Sequence, residues 1–152
     1  MLIGPNHPLY PQELDLRERV LLQPIGYTMA RFVDEYRMEE AFEHFVAVID
    51  HPKGKRVIGC VCLATNHPTP GVGKLMQMAV DPQRQGEGIG RELVAHLERR
   101  AFGELGLREL FCHAQENACP FYARMGWTAV GERFLEAGIP HFKMVFHAEA
   151  DG

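Results

Sequence analysis

Val80-Asp81-Pro82-Gln83-Arg84-Gln85-Gly86-Glu87-Gly88-Ile89-Gly90-Arg91 is the stretch on which the fold turns. Before it, the apolar-rich run from Val72 to Val80 reads as a strand that Asp81-Pro82 closes. After it, Ile89, Leu93, Val94, Leu97 and Ala101 recur at helical spacing, with Arg91, Glu92, Glu98 and Arg99 largely opposite. An amphipathic helix therefore follows and packs on a sheet. A strand that passes through a glycine-rich turn into a helix leaves main-chain N–H groups without intrahelical partners. Glycines at 86, 88 and 90 keep side chains away, so anionic oxygens can reach those amides and the positive end of the helix dipole. The pattern predicts a ligand that carries a diphosphate.

Two familiar nucleotide loops fit this spacing poorly. A dinucleotide fingerprint needs Gly-x-Gly-x-x-Gly in the first strand–helix unit, with an acidic residue about twenty positions later at the end of the next strand. Here the order is Gly-x-Gly-x-Gly, past mid-chain, and Glu109 begins its strand rather than ending it. A P-loop needs Gly-Lys followed by Ser or Thr, where this chain has Gly90-Arg91-Glu92.

Outward from the loop, Tyr10 to Leu22 reads as a helix that Pro24 and Gly26 end. Glu39 to Glu43 reads as a helical turn, and apolar residues alternate from His44 to Val48. Val57 to Ala64 forms the next strand, joined by the turn-like His51-Pro52-Lys53-Gly54 into a hairpin. Asn66 to Gly71 is a loop by its prolines and glycine. Beyond the amphipathic helix come a strand from Leu107 to His113, a short helix from Pro120 to Arg124, and strands at Thr128 to Leu135 and His141 to Phe146. No repeat, low-complexity tract or shift in composition divides the chain, so residues 1–152 read as a single domain.

Composition agrees with one ordinary globular core: 152 residues, 46% hydrophobic and 24% charged. A net charge of -4 gives no general attraction to nucleic acid or to an anionic membrane surface, so neither is an expected partner. No apolar run approaches the roughly 20 residues a spanning helix needs. Four cysteines in a chain without a secretion-like start suggest a reducing compartment, the cytoplasm. Cys60-x-Cys62 lies on a strand with no second pair nearby, so the two read as small buried side chains rather than zinc ligands. No metal is expected.

Val80-Asp81-Pro82 followed by Gln85-x-x-Gly88-x-Gly90 resembles the acetyl-CoA motif of the GNAT superfamily of N-acetyltransferases. A second motif follows where that superfamily places it, Asn117-x-x-x-Phe121-Tyr122-x-x-x-Gly126-Trp127, and the two together span roughly residues 74–127. Glu136-Ala137-Gly138-Ile139-Pro140-His141-Phe142-Lys143-Met144 further resembles the C-terminal strand of an ElaA-like branch. The N-terminal third departs from that branch, and in GNAT proteins this region usually shapes the acceptor pocket.

The resemblance implies an α/β (α+β) GNAT fold: a central mixed, mostly antiparallel sheet of six or seven strands flanked by about four helices. It implies acetyl-CoA as cosubstrate and direct transfer of its acetyl group to a primary amine of a small molecule or peptide. Met78, Ala79 and Val80 match the strand that presents main-chain groups to the pantetheine arm, and an oriented donor such as the Met78 N–H contributes about 3 kcal/mol in acyl transfer. Gln85, Gly86, Glu87, Gly88, Ile89, Gly90 and Arg91 match the pyrophosphate loop, with Glu87 expected to point to solvent. Tyr122 matches the general acid that protonates the departing thiolate, a role that suits a phenol still protonated at neutral pH. Asn117 either bonds the pantetheine or caps its helix, and Phe121 and Trp127 read as core.

Many GNAT enzymes carry a carboxylate base on the strand before the loop, but Gly73 to Val80 holds no Asp or Glu. His44, His113 and His141 are the alternatives, with His141 leading. Tyr36, Glu39, Glu40 and Phe42 offer a generic aromatic and acidic patch for a cationic acceptor. Two other classes stay open at this point: a non-catalytic acyl-CoA-binding sensor and a nucleotide-dependent oxidoreductase. A homodimer is compatible with the sequence but not implied by it.

Overall fold

A computed structural model describes residues 1–26, 28–30 and 41–148. In chain order the elements are β1 (Leu2–Ile3), α1 (Tyr10–Arg17), β2 (Glu43–His51), β3 (Gly54–Ala64), β4 (Val72–Val80), α2 (Ile89–Glu98), β5 (Glu109–Gln115), α3 (Cys119–Arg124), β6 (Thr128–Glu136) and β7 (Ile139–His147). Seven strands form one sheet in the order β1-β2-β3-β4-β5-β7-β6, and every neighbouring pair is antiparallel except β4 with β5. This is the expected mixed, mostly antiparallel sheet. The described residues hold three bounded α-helices rather than about four.

Local chemistry explains where the boundaries moved. The helix expected through Leu22 is α-helical only to Arg17; Glu18–Leu22 widens into a π-type turn and Gln23–Ile25 tightens into a 3-10 turn. Pro24 has no N–H to continue the ladder, and Gly26 closes the segment at φ 78°. The hairpin turn falls where it was expected, with His51 opposite Gly54. Apolar Leu2 and Ile3 form an edge strand on Phe45 and His44 that the sequence had left unassigned. Of the helical turn expected from Glu39 to Glu43, Glu39 and Glu40 lie outside the described residues, as does Tyr36, and Glu43 instead opens β2.

Helices cover the two faces of β2–β4. On one face, Leu93, Val94, Leu97 and Ala101 pack on Val61, Leu63, Leu75 and Leu110. Each buried Leu or Val side chain there gains about 1.5–3 kcal/mol of gross burial energy. The approach is close because of Gly59: a Cβ there would lie 2.9 Å from Ile89 Cγ2 and 3.0 Å from Leu93 Cδ1. On the other face, Leu16 packs with Val46, Val57, Cys60 and Ala79, while Cys62 packs with Leu22, Met29 and Phe42. Cys60 and Cys62 are thus buried, as read from the sequence, and Phe42 is core rather than a pocket residue.

Two irregularities position the site. β4 and β5 pair only at Val72–Glu109, Gly73–Leu110 and Lys74–Phe111, after which the strands are no longer bonded to each other. On its other side, β4 stays bonded to β3 but bulges: Cys60 faces Ala79 and Cys62 faces Met76, so Gln77 and Met78 together oppose Val61. Gln77 takes φ 55° to absorb the extra residue.

Candidate functional site

The gap between β4 and β5 leads into a cleft of about 520 Å³ lined by Met78, Ala79 and Val80, by the loop, and by Phe121 and Arg124 of α3. Asp81 N–H donates to Ile58 O at 2.8 Å, so strand alternation turns the Val80 main chain away from β3 and toward the gap. Gln85 Nε2–H donates to Val80 O at 3.4 Å, consistent with that direction. The bulge at Gln77–Met78 re-aims the next main-chain groups at the same wall.

The loop has the build of an anion cradle. Gly86 and Gly88 take φ 88° and 83°, which side-chain-bearing residues rarely adopt, and a Cβ at either would meet nothing within 4 Å. Gly88 is the N-cap of α2 and supplies no side-chain acceptor, so the first-turn amides carry no cap. Gly90 faces the edge of the Phe121 ring, 3.5 Å from a built Cβ, which joins α2 to α3 across the cleft. Arg84, Arg91 and Arg124 border the cleft, so it is locally cationic in a chain of net charge -4. Glu87 is exposed and lies 3.7 Å from Arg84, in keeping with the expected solvent-facing position. Ile89 both lines the cleft and packs over Gly59.

Arg124 and Val20 were not singled out in the sequence as site residues. Arg124 read only as the end of a helix, and Val20 as one apolar position of another; no local pattern links either to a loop tens of residues away. Asn117 is exposed in the 3-10 turn Glu116–Ala118, and α3 has no side-chain cap, so capping is not its role.

Tyr122 is buried, its ring 5.0 Å from Phe121 and 5.3 Å from Trp127. Its hydroxyl lies near the Cys112 thiol on β5. Burial pushes the phenol well above its usual pKa, and pushes the Cys112 thiol up to about 12. Both groups keep their protons at neutral pH. Trp127 is core as expected, stacked 5.8 Å from Phe146, with its indole N–H donating to Glu98 Oε1 at 2.9 Å.

The three histidines have different surroundings. His44 is fully buried, its Nδ1 2.8 Å from Glu13 Oε2. His141 is buried in β7, with Nδ1 donating to Ile139 O at 2.7 Å and Nε2 3.5 Å from Glu136 Oε2, so less of its ring is open to the gap than that of His113. His113 lies on β5 two residues beyond the last β4 pairing, partly exposed, with Nδ1 3.3 Å from Glu136 Oε1. Desolvation, and then the nearby Lys74 ammonium, lower its pKa. A carboxylate only accepts, so the His113 proton sits on Nδ1 and Nε2 is left as an acceptor. The sequence put His141 first; what sets His113 apart lies in burial and in Glu136, which is 23 residues from His113.

Glu13, His44 and Cys62 bring one potential metal-donor atom each within 4.8 Å of one another. However, Arg17 Nη1–H donates to Glu13 Oε2 at 3.0 Å and Arg17 Nε–H donates to Gln77 Oε1 at 3.2 Å. A guanidinium already stands against the carboxylate that a cation would need, so the cluster is a buried ion-pair network tied to the β4 bulge.

Residues 23–148 match the family model described as the acetyltransferase (GNAT) domain. The uncharacterized N-acetyltransferase YjcF of Bacillus subtilis is 29% identical over 145 residues, covering 95% of this chain and 96% of that protein. An acyl-CoA N-acyltransferase from Pseudomonas aeruginosa superposes with a TM-score of 0.79 at 20% identity, over 95% of this chain and 96% of its own. ElaA of Escherichia coli gives 0.77 at 16% identity, over 95% and 96%, which is a likeness of fold. No helix among the described residues is long and apolar enough to cross a membrane.

Proposed function

Because the chain belongs to the acetyltransferase (GNAT) domain family, we propose that it is an N-acetyltransferase that takes acetyl-CoA and moves the acetyl group directly to a primary amine. The observation that carries this is the coincidence of an open, uncapped glycine loop with an unpaired, bulged strand beside it. A structural turn needs only the first of these.

The residues fit the cosubstrate. The loop from Gln85 to Arg91 holds the pyrophosphate through main-chain N–H groups, with Arg84, Arg91 and Arg124 adding charge at its rim. Val80, and Met78 at the bulge, offer the pantetheine main-chain groups that a β5 partner would otherwise take, while Ala79 between them pairs with Cys60 of β3. When bound, acetyl-CoA supplies an activated acyl group on sulfur. The Met78 N–H donates to the thioester oxygen, where negative charge grows as the amine nitrogen bonds to the carbonyl carbon. Tyr122 gives its phenolic proton to the sulfur as the carbon–sulfur bond breaks. His113 Nε2 takes the proton lost by the amine, directly or through a water, with Glu136 fixing the ring. Tyr122 and His113 stand on opposite faces of β5 at the gap, since Cys112 and His113 are successive strand residues.

Cytoplasmic location and the lack of nucleic-acid or membrane partners follow from charge and composition as part of this proposal. A non-catalytic sensor is disfavoured because it would need neither the protonated Tyr122 nor an oriented His113.

Isothermal titration with acetyl-CoA, NAD and ATP in parallel tests the assignment. Selective acetyl-CoA binding, followed by CoA release on adding amines, is the expected result. A folded protein that ignores acetyl-CoA would overturn it.

A further inference from the structure

The β5–β7 wall beside the gap carries cations that the reaction above does not use. Lys74 and Lys143 flank the Phe111 ring, with Nζ 5.9 Å and 4.8 Å from its centroid. Neither ammonium has a carboxylate at salt-bridge distance among the described residues. The nearest acid on this face, Glu136, is already shared by His113 and His141 at 3.3 and 3.5 Å. Lys74 is half-buried, and desolvation lowers its pKa against a smaller opposing pull from the Glu136 carboxylate, which is beyond ion-pair distance. Holding an unpaired, partly desolvated cation is costly, and such a cost is commonly offset by a ligand of opposite charge.

Its place in the fold links it to the transfer. Lys74 and Phe111 are the last β4–β5 pair before the strands separate, and His113 comes two residues later on the same face of β5 as Phe111. Four residues, about 13 Å of strand, separate Lys74 from Met78. The four-carbon lysine stem closes part of that distance. A small molecule with its amine at His113 and the Met78 N–H would therefore bring a group a few bonds away over Phe111, between the two ammoniums.

From this we infer that the wall formed by Lys74, Phe111 and Lys143 is the acceptor subsite, and that the acceptor is a small amine bearing an anionic group, a carboxylate or a phosphate. The inference rests on the acetyltransferase reading and sharpens it. It also reverses the expectation of a cationic acceptor drawn from Glu39 and Glu40. An amine already paired with its own anion would present net neutral charge to a wall whose spare charges are positive, whereas a polyamine would be repelled by it.

Matched acceptors provide the test: β-alanine against β-alaninamide for a carboxylate, O-phosphoethanolamine against ethanolamine for a phosphate, and spermidine for the opposite charge. CoA release should show kcat/KM about tenfold higher for the anionic member of at least one pair, the size expected of a charge-assisted contact. Which pair responds identifies the anion. Lys74→Met and Lys143→Met should each collapse the ratio, and Lys74→Arg should retain it. Titration of the CoA-loaded protein with N-acetyl-β-alanine and N-acetyl-β-alaninamide reads the same preference without turnover. Spermidine as the best acceptor, equal rates within both pairs, or a ratio unmoved in the methionine variants overturns the inference. Acetyl-CoA binding measured alongside separates its failure from failure of the transferase assignment: intact binding without anion preference sinks only the subsite.

Discussion

Replacing Tyr122 with Phe removes one oxygen from a buried ring and leaves its packing on Phe121 and Trp127 in place. If Tyr122 were only an aromatic anchor, the loss would be at most a weak contact of its hydroxyl with the nearby Cys112 thiol, about 1 kcal/mol or less because sulfur is a weak partner. For a chain of 152 residues that lowers Tm by about 2–4 °C and leaves turnover close to normal. If Tyr122 protonates the leaving sulfur, kcat falls by about 10²–10⁴-fold, or about 2.7–5.5 kcal/mol of barrier, at the same small cost in stability. The two magnitudes do not overlap. Steady-state CoA release with an active amine, acetyl-CoA titration and thermal melting on the same preparation distinguish them. The expected set is a kcat at least about 100-fold lower, a Kd for acetyl-CoA within about twofold of the parent, and a Tm within a few degrees. A kcat within about threefold of the parent, with binding intact, would refute the acid role.

Gly59→Ala pushes a methyl into Ile89 and Leu93 and should cost about 1–3 kcal/mol while weakening acetyl-CoA binding, because α2 carries the loop; Gly103→Ala, with open space around it, is the control, and equal melting curves would disprove the contact. Arg17→Met takes the guanidinium from the buried Glu13 carboxylate, leaving His44 as a partner, and should destabilise by about 3 kcal/mol in urea unfolding. If the neutral His113 imidazole is the base, kcat/KM should fall as pH drops through its lowered pKa, below 6.5; Lys74→Met removes one of the causes of that lowering and should move the acid limb to higher pH. Burial raises the Glu98 carboxyl, so its favourable contribution is complete below about pH 4.5 and is lost as pH rises through the folded value. Glu98→Gln, neutral throughout and still able to accept the Trp127 N–H, should therefore melt higher than the parent at pH 7, with the gap closing toward pH 4.

Residues 80–91 made the fold legible because their meaning is local. A strand ending, glycines that permit positive φ, and a 3.6-residue apolar period are set by backbone sterics and by neighbours within one or two turns. They need no distant partner to be recognised. The second motif, Asn117 through Trp127, was recognised by its resemblance to the superfamily, while Pro120 and Gly126 bounded the short helix that carries Tyr122. What those residues face was decided only by the assembled sheet. The β4 bulge answers to register against Val61, and the gap exists because pairing with β5 stops at Lys74. His141 and His113 are chemically identical in sequence; Glu136 and burial separate them, leaving a free nitrogen on His113 where the strands part. The ammoniums of Lys74 and Lys143, with no ion pair among the described residues, meet over one ring from positions 69 residues apart (143 − 74). Local propensity could fix the elements, but charge pairing and exposure are properties of contacts between them, and those come into being only when the chain has folded.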